Sequence, residues 1–156
     1  MNDFKNISIQ FACDADCGFD LRKLKKLVRN VCSEFKMLDA IIQIRIVDDA
    51  GMIDIHRQFL KKNNTTDVIS FDLSDEFEPK RNFQIMVNAP MARRQAEKRG
   101  HSAESELALY IVHGLLHQVG YDDRIPSQAQ RMHEKEDIIL QRQGFGVIYQ
   151  KLKTKK

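Results

Sequence analysis

The chain has 156 residues, of which 42% are hydrophobic and 30% are charged, and its formal net charge is +3. This length suggests one domain, and because no apolar run approaches the ~20 residues of a membrane span, we expect no membrane segment. Residues 1–7 hold no apolar signal stretch and the cysteine count is odd, at three, so we expect a cytoplasmic protein without a disulfide framework.

Hydrophobic periodicity predicts nine elements. Alternating or β-branched apolar residues predict four strands, over 7–12, 41–47, 66–73 and 83–88. Apolar residues at helical spacing predict five helices, over 20–36, 48–60, 90–98, 102–119 and 127–143. This order predicts an α+β fold, with one mixed sheet of about four strands packed with about five helices. We assign 1–150 to a single domain and 151–156 to a basic C-terminal tail.

Positive charge is concentrated in three segments although the net charge is small. Lysines and arginines cluster in 22–29, in 93–99 and in the tail. Such clusters attract phosphate backbones, but they are equally typical of solvated helix faces. The stretch 72–78 is acidic and would repel a phosphate backbone locally. Charge alone therefore makes nucleic acid a candidate partner and no more.

The most informative stretch is 113–123, which reads His-Gly-Leu-Leu-His-Gln-Val-Gly-Tyr-Asp-Asp. At about 100° per residue, His113 and His117 share one face of a helix, with Cβ atoms roughly 5–6 Å apart. Two imidazoles at this spacing can bind one ion. We expect Ser102 to cap the start of this helix and Gly120 to end it in the left-handed conformation.

A carboxylate is the predicted third ligand. The turn at Gly120 can bring Asp122 or Asp123 back toward the histidines, and Asp123 is the preferred residue. The alternative is that both histidines are surface residues or hydrogen-bonded core residues. The apolar run around them favours ligation, because burying an imidazole without partners costs about 1–3 kcal/mol.

The string over 113–123 resembles the signature of the YbeY family of bacterial metal-dependent endoribonucleases, which act in ribosomal RNA maturation. The string Thr-Asp-Val-Ile-Ser-Phe over 66–71 resembles the family's second motif, a strand that lines the catalytic cleft. Glu106 and Glu136 also fit the usual layout of the family. The resemblance extends from the first strand to residue 143.

Three positions depart from the pattern of that family. Asp123 stands where the family has a third histidine; an aspartate oxygen can bind zinc, but its charge should weaken the ion as a Lewis acid. Leu60 stands where the family has an arginine, and Phe83 and Gln84 replace a glycine and an acidic residue. We predict that one of three neighbours, Lys61, Lys62 or Arg57, supplies the positive charge absent at position 60. These residues are the predicted catalytic residues, which bind the scissile phosphate and stabilise charge in the transition state.

The resemblance implies a zincin-like metal helix and one Zn²⁺ per chain, bound by His113, His117 and Asp123. It implies an endoribonuclease that cleaves single-stranded RNA in rRNA maturation and ribosome quality control. The implied partners are rRNA of the small ribosomal subunit, with a ribosomal protein or an assembly GTPase as further candidates.

Two rival functions remain open. One is a ribosome-assembly factor whose metal is structural and whose cleavage is weak or absent, which the changes at Asp123 and Leu60 favour. The other is a zinc metalloprotease, because the His-x3-His-x5-Asp spacing mirrors the long zincin pattern. In those proteases a glutamate follows the first histidine as general base, whereas this chain has Gly114 there.

Overall fold

The structure is a computed structural model. It describes residues 6–14, 18–37, 39–146, 148 and 149. The predicted basic tail, 151–156, lies outside the described residues, as does Cys17.

The predicted elements are confirmed in type and order. The strands are β1 (Asn6–Cys13), β2 (Asp39–Val47), β3 (Val68–Asp72) and β4 (Arg81–Asn88). The helices are α1 (Leu21–Glu34), α2 (Asp49–Leu60), α3 (Ala89–Arg99), α4 (Ala103–Gln118) and α5 (Pro126–Arg142). The prediction for the third strand began two residues early, because the Asp67 side chain accepts the Val68 N–H at 2.8 Å and forms a local turn before the strand.

One mixed sheet organises the fold. Its strand order is β1-β2-β4-β3; β1, β2 and β4 are parallel, and β3 pairs antiparallel with β4. The parallel strands are joined through crossover segments that contain helices, whereas β3 and β4 are consecutive. The antiparallel strand therefore lies at the edge of the sheet.

The two faces of the sheet carry different helices. Alternate residues of a strand point to opposite faces, so Ile85 packs in the main core with α1 and α4, and Met86 packs in a smaller cluster with α2. Helix α4 is buried along most of its length. Among the described residues, no helix combines the length and apolar composition needed to cross a membrane.

Helix α4 lies close against the sheet at Gly114. A Cβ added there would lie 3.0 Å from Ile85 Cγ2 and 3.4 Å from Val68 Cγ2. The Ser70 hydroxyl donates to the Gly114 carbonyl at 3.1 Å, and the Gln118 amide donates to the Ser70 hydroxyl at 2.8 Å. These contacts fix the C-terminal half of α4 against β3.

Both predicted ends of α4 are confirmed. The Ser102 hydroxyl accepts the Ser105 N–H at 3.0 Å, which satisfies one of the open amides of the first turn. Gly120 has a φ of 104° just beyond the helix, a conformation that glycine adopts without strain. The chain reverses there, and the Tyr121 N–H donates to the Leu116 carbonyl at 3.0 Å.

Candidate metal centre

The three predicted ligands converge at the C-terminal end of α4. The Nε2 atoms of His113 and His117 are 3.1 Å apart. Asp123 Oδ2 lies 3.3 Å from His113 Nε2, and Asp123 Oδ1 lies 3.6 Å from His117 Nε2. Within the described part of the chain, this is the group of ligating side chains compact enough to hold a metal ion.

The distances from His113 Nε2 to His117 Nε2, 3.1 Å, and to Asp123 Oδ2, 3.3 Å, are close to those between ligand atoms around a zinc ion. In a tetrahedral site with ligands roughly 2.0–2.2 Å from zinc, neighbouring ligand atoms are about 3.4 Å apart. Two imidazole nitrogens and one carboxylate oxygen are also a donor set used by catalytic zinc sites. The assignment of His113, His117 and Asp123 as ligands stays a prediction, which this geometry supports.

The two aspartates after the turn have different partners. The Asp122 carboxylate accepts a hydrogen bond from Arg124 Nε at 2.7 Å and another from the Asp123 N–H at 2.8 Å. The Arg124 bond lowers the pKa of Asp122. Asp122 is therefore occupied within its own turn, and Asp123 is the aspartate that faces the histidines.

A buried carboxylate supports the first histidine from behind. His113 Nδ1 donates to Glu136 Oε2 of α5 at 2.6 Å, and the Glu136 side chain is fully buried. His133 Nδ1 bonds the other oxygen of Glu136 at 3.1 Å. A carboxylate on the outer nitrogen fixes the tautomer and orientation of a ligating imidazole, so Glu136 holds His113 Nε2 toward the predicted metal position.

The surroundings of His113 favour positive charge. Burial by itself lowers the pKa of His113, but the hydrogen bond and charge of Glu136, followed by the charges of Asp123 and Asp67, raise it above its ordinary value. The same negative charges stabilise a bound cation at this position.

A cavity of about 230 Å³ opens beside His113 and Asp123. Its walls come from five parts of the fold: the segment before β3, the end of α3, the middle of α4, the segment after α4, and α5 with the segment after it. Besides the two predicted ligands, the lining residues are Asp67, Arg99, Leu109, Tyr110, His133 and Tyr149. The rings of His133 and Tyr149 are stacked, with centroids 3.8 Å apart.

The sequence reasoning missed Arg99 as a residue of this site. It is the last residue of α3, and its guanidinium bonds the buried Glu106 carboxylate at 2.9 Å. The available signal was the short α3–α4 connection, in which Gly100 ends one helix and Ser102 caps the next. Such a turn brings the last residue of one helix beside the first turns of the other.

The three predicted basic residues lie elsewhere. Lys61 and Lys62 follow α2 and are exposed, with Lys61 in the left-handed conformation at φ 54°. Arg57 is 62% exposed, 3.8 Å from Asp54, and donates to the Asn63 side chain at 3.1 Å. None of the three is among the described residues that line the cavity. Their role as catalytic residues stays a prediction.

The other departures from the resemblance also have defined places. Leu60 ends α2 and is 43% exposed. Phe83 is fully buried in the core, and the Arg81 guanidinium lies 4.5 Å above its ring. Arg81 also donates to the Gln118 carbonyl at 3.0 Å, so this part of β4 supports the end of α4 through a hydrogen bond.

A family profile described as Endoribonuclease YbeY matches residues 11–144. Among curated proteins named Endoribonuclease YbeY, that of Myxococcus xanthus is 32% identical over 144 residues, which cover 90% of this chain but only 49% of the relative. That of Persephonella marina is 32% identical over 123 residues, covering 76% of this chain and 80% of the relative. That of Lysinibacillus sphaericus is 36% identical over 115 residues, covering 67% and 73%.

The fold has a solved counterpart. The solution structure of TM1509 from Thermotoga maritima superposes with a TM-score of 0.58 at 20% identity, covering 87% of this chain and 90% of that one. At this identity the likeness speaks for the fold alone. The profile match and the curated relatives confirm the resemblance seen in the two sequence motifs: the chain belongs to the Endoribonuclease YbeY family.

Proposed function

We propose that this protein is a metal-dependent endoribonuclease that cleaves single-stranded RNA during rRNA maturation and ribosome quality control. The observation that carries the proposal is the cluster of His113, His117 and Asp123 at the edge of an open cavity. Membership of the Endoribonuclease YbeY family supports RNA as the substrate class.

The proposed cofactor is one Zn²⁺ per chain, held by these three side chains. When bound, zinc supplies a Lewis acid for a phosphoryl oxygen and makes water more acidic. Three protein ligands are the number found at catalytic zinc sites, whereas structural sites use four. The donor set therefore favours a catalytic role over the structural role of the assembly-factor alternative.

The surrounding side chains prepare the site for this chemistry. Glu136 orients His113 through the bond at Nδ1 and is itself shielded from water. Asp123 contributes negative charge, which lowers the electrophilicity of the site compared with a third histidine. Activity is therefore expected to be weaker than in a relative with three histidine ligands.

The partners and the location are proposed with the function. The substrate would be rRNA of the small ribosomal subunit in the cytoplasm, with a ribosomal protein or an assembly GTPase as a further partner. Lys61, Lys62 and Arg57 are proposed to meet the RNA from the end of α2, where their exposure leaves them accessible.

The deciding experiment measures metal content and RNA cleavage together. Purified protein should contain about one zinc per chain and cleave a labelled single-stranded RNA. His117→Ala should lose the metal and, because a metal ion supplies several kcal/mol of transition-state stabilisation, lower cleavage by roughly 10³-fold. Arg131→Gln, an exposed change on α5, is the control for preparation and folding.

Three results would contradict the proposal in different ways. If the purified protein contains no transition metal, the proposed metal-dependent mechanism is wrong. Cleavage of casein in place of RNA would favour a protease. Ribosome or precursor-RNA binding that survives His117→Ala, in a protein whose wild type does not cleave RNA, would favour the assembly-factor alternative.

A further inference from the structure

His133 on α5 lines the same cavity as two of the predicted ligands, His113 and Asp123. Its side chain is 33% exposed, and its Nδ1 donates to Glu136 Oε1 at 3.1 Å. The other oxygen of Glu136 accepts a hydrogen bond from His113 Nδ1 at 2.6 Å. One fully buried carboxylate therefore holds two imidazoles at one cavity, and only His113 belongs to the predicted ligand set.

Two contacts fix the orientation of the His133 ring. His133 and Glu136 are three residues apart on α5, so their side chains share one face of the helix. The Tyr149 ring stacks on the ring of His133, with centroids 3.8 Å apart and an angle of 20° between the planes. With Nδ1 turned to Glu136, His133 Nε2 makes no hydrogen bond to any residue that the structure describes. Nε2 is therefore the nitrogen that can meet a bound molecule.

The cavity offers few groups that could protonate a leaving oxygen. Among the residue types that line it in the described part of the chain, histidine is the one whose ordinary pKa lies near neutrality. Burial raises the pKa of Tyr110 and the pKa of Tyr149, so these hydroxyls keep their protons at neutral pH. His113 is a predicted ligand, and its outer nitrogen is occupied by Glu136. The histidine that remains is His133.

We propose that His133 is the general acid of RNA cleavage, with Nε2 donating a proton to the ribose oxygen that leaves phosphorus. The inference rests on the proposed function for the reaction that it serves. Glu136 is the positioning residue, because it accepts the Nδ1 hydrogen bond and so aims Nε2 away from the protein interior.

The step balances in atoms and charge. A water oxygen forms a bond to phosphorus, and the bond from phosphorus to the leaving oxygen breaks, with its electron pair kept by that oxygen. The leaving oxygen takes the proton of His133 Nε2. The attacking water releases one proton to solvent and the imidazole regains one from solvent, so the protein ends the cycle as it began.

The test compares two RNA substrates that differ in their need for a proton. The zinc-loaded enzyme first cleaves a fluorescein-labelled single-stranded RNA, the oxygen RNA, and the product ends identify the leaving oxygen. A second substrate, the sulfur RNA, carries sulfur in place of that oxygen. A thiol is far more acidic than an alcohol, so the sulfur leaves without a general acid. Single-turnover rate constants are measured for both substrates, which removes product release from the comparison.

His133→Asn is the main variant, because an amide can still donate to Glu136 but cannot transfer a proton. Its rate constant should fall on the order of 10²-fold for the oxygen RNA and less than about threefold for the sulfur RNA, since general acid catalysis contributes roughly 10²–10⁴-fold only where the leaving group needs a proton. The zinc content should stay at that of the wild type, because His133 is outside the predicted ligand set.

A second variant and a control accompany it. His133→Gln is used if His133→Asn does not fold, and it should show the same dependence on the leaving group, because its amide offers a hydrogen bond but no transferable proton. Glu134→Gln changes the next residue of α5, which is exposed and bonds Gln130 in the described contacts. This control should leave both rate constants near the wild-type values.

The outcomes separate the general acid from the proposed function. Equal losses on the two substrates would show that His133 only shapes the site, and a loss of zinc would show that it supports the metal; either result overturns the proposal. Unchanged cleavage of the oxygen RNA by folded His133 variants also overturns it, while wild-type cleavage leaves the proposed function intact. If the wild type cleaves neither substrate, the proposed function fails and the general acid fails with it.

Discussion

Two regions hold the residues proposed to act on RNA, and they are built differently. The metal end of α4, which comprises His113, His117, Asp123 and Glu136, is anchored by a fully buried carboxylate and by the contacts of α4 with β3. The end of α2, residues 57–62, is exposed, with Arg57 at 62% and Phe59 at 58%. Buried groups with hydrogen bonds are held in one conformation. Exposed side chains lose conformational entropy each time they form a contact. From this contrast we expect the first region to carry the proposed chemistry and the second to make loose contacts with the RNA strand.

Among the changes that leave the three predicted ligands and compare the two regions, Glu136→Gln is expected to have the largest effect, because Glu136 anchors the metal end. It keeps the side-chain volume but removes the charge behind His113, and changes of this kind lower metal affinity or activity about 10–100-fold. Zinc affinity measured by competition with a chelating dye checks the prediction. Glu134→Gln is the matched control, because Glu134 lies exposed on the same helix and bonds only Gln130 at 3.0 Å in the described contacts. Equal affinities in both variants would mean that the buried carboxylate does not tune the site.

Asp123→His changes the same metal end of α4, but it is expected to raise activity where Glu136→Gln lowers it. A neutral nitrogen replaces a charged oxygen, so the ion should become a stronger Lewis acid and kcat for RNA should rise by roughly tenfold, or about 1.4 kcal/mol of barrier. Asp122→His is the control, because Asp122 is turned toward Arg124. Unchanged zinc affinity and unchanged kcat with Asp123→His, or a rise in kcat with Asp122→His, would contradict the present choice of third ligand.

The double change Lys61→Gln and Lys62→Gln tests the end of α2. Exposed ion pairs contribute about 0.2–1 kcal/mol, and at about 0.3 kcal/mol for each of the two lysines kcat/KM for RNA should fall only about threefold. The control is Lys25→Gln with Lys26→Gln, on the exposed face of α1. A fall in kcat/KM of about 10–100-fold, the range expected for Glu136→Gln, would contradict the distinction between the two regions. A loss equal to that of the control pair would show that these lysines make no specific contact.

The smallest expected effect is on the stability at acid pH that the start of α2 contributes. Asp49 at this end of the helix is hydrogen-bonded to residues of other elements, whereas the residues at the other end are exposed. Hydrogen bonds from Arg94 and then Asn88 lower the pKa of Asp49 to about 2. Since the ordinary value is 3.8, the folded state favours the anion, and the contribution is complete above about pH 4 and is lost as the pH falls toward 2. Because Arg94 is half exposed, the contribution should stay below about 1 kcal/mol.

Urea unfolding between pH 5 and pH 2.5 measures that contribution through the midpoint. Arg94→Gln should flatten the acid dependence compared with wild type, and Arg131→Gln should leave it unchanged. An acid dependence that is unchanged in Arg94→Gln would show that other carboxylates dominate acid unfolding.

The predictable part of the molecule follows from local pattern. Periodicity and apolar runs predicted all nine elements, because some bury one face and others, such as α4, are apolar along most of their length. The histidine spacing predicted a ligand pair because both residues lie within one helix. The choice between Asp122 and Asp123 was open in the sequence, since it depends on the bond from Arg124. Arg99 was recognised only as part of a basic segment, because its place depends on the α3–α4 turn and on the buried position of Glu106. Lys61 and Lys62 were chosen by closeness in sequence to Leu60, and the structure places them outside the cavity.

The close contact between Gly114 and Ile85 also limits how this scaffold can change its chemistry. A single substitution to glutamate would create the His-Glu-x-x-His sequence of a peptidase. The new Cβ would lie 3.0 Å from Ile85 Cγ2, well inside the normal carbon–carbon separation of about 3.5–4.0 Å. Ile85 would have to move by a few tenths of an ångström or be replaced by alanine, at a cost of about 2–5 kcal/mol, because valine keeps the Cγ2 methyl group that makes the contact. An evolutionary path from nuclease to peptidase on this helix thus begins with a destabilising step inside the sheet, before any new reaction exists to be selected.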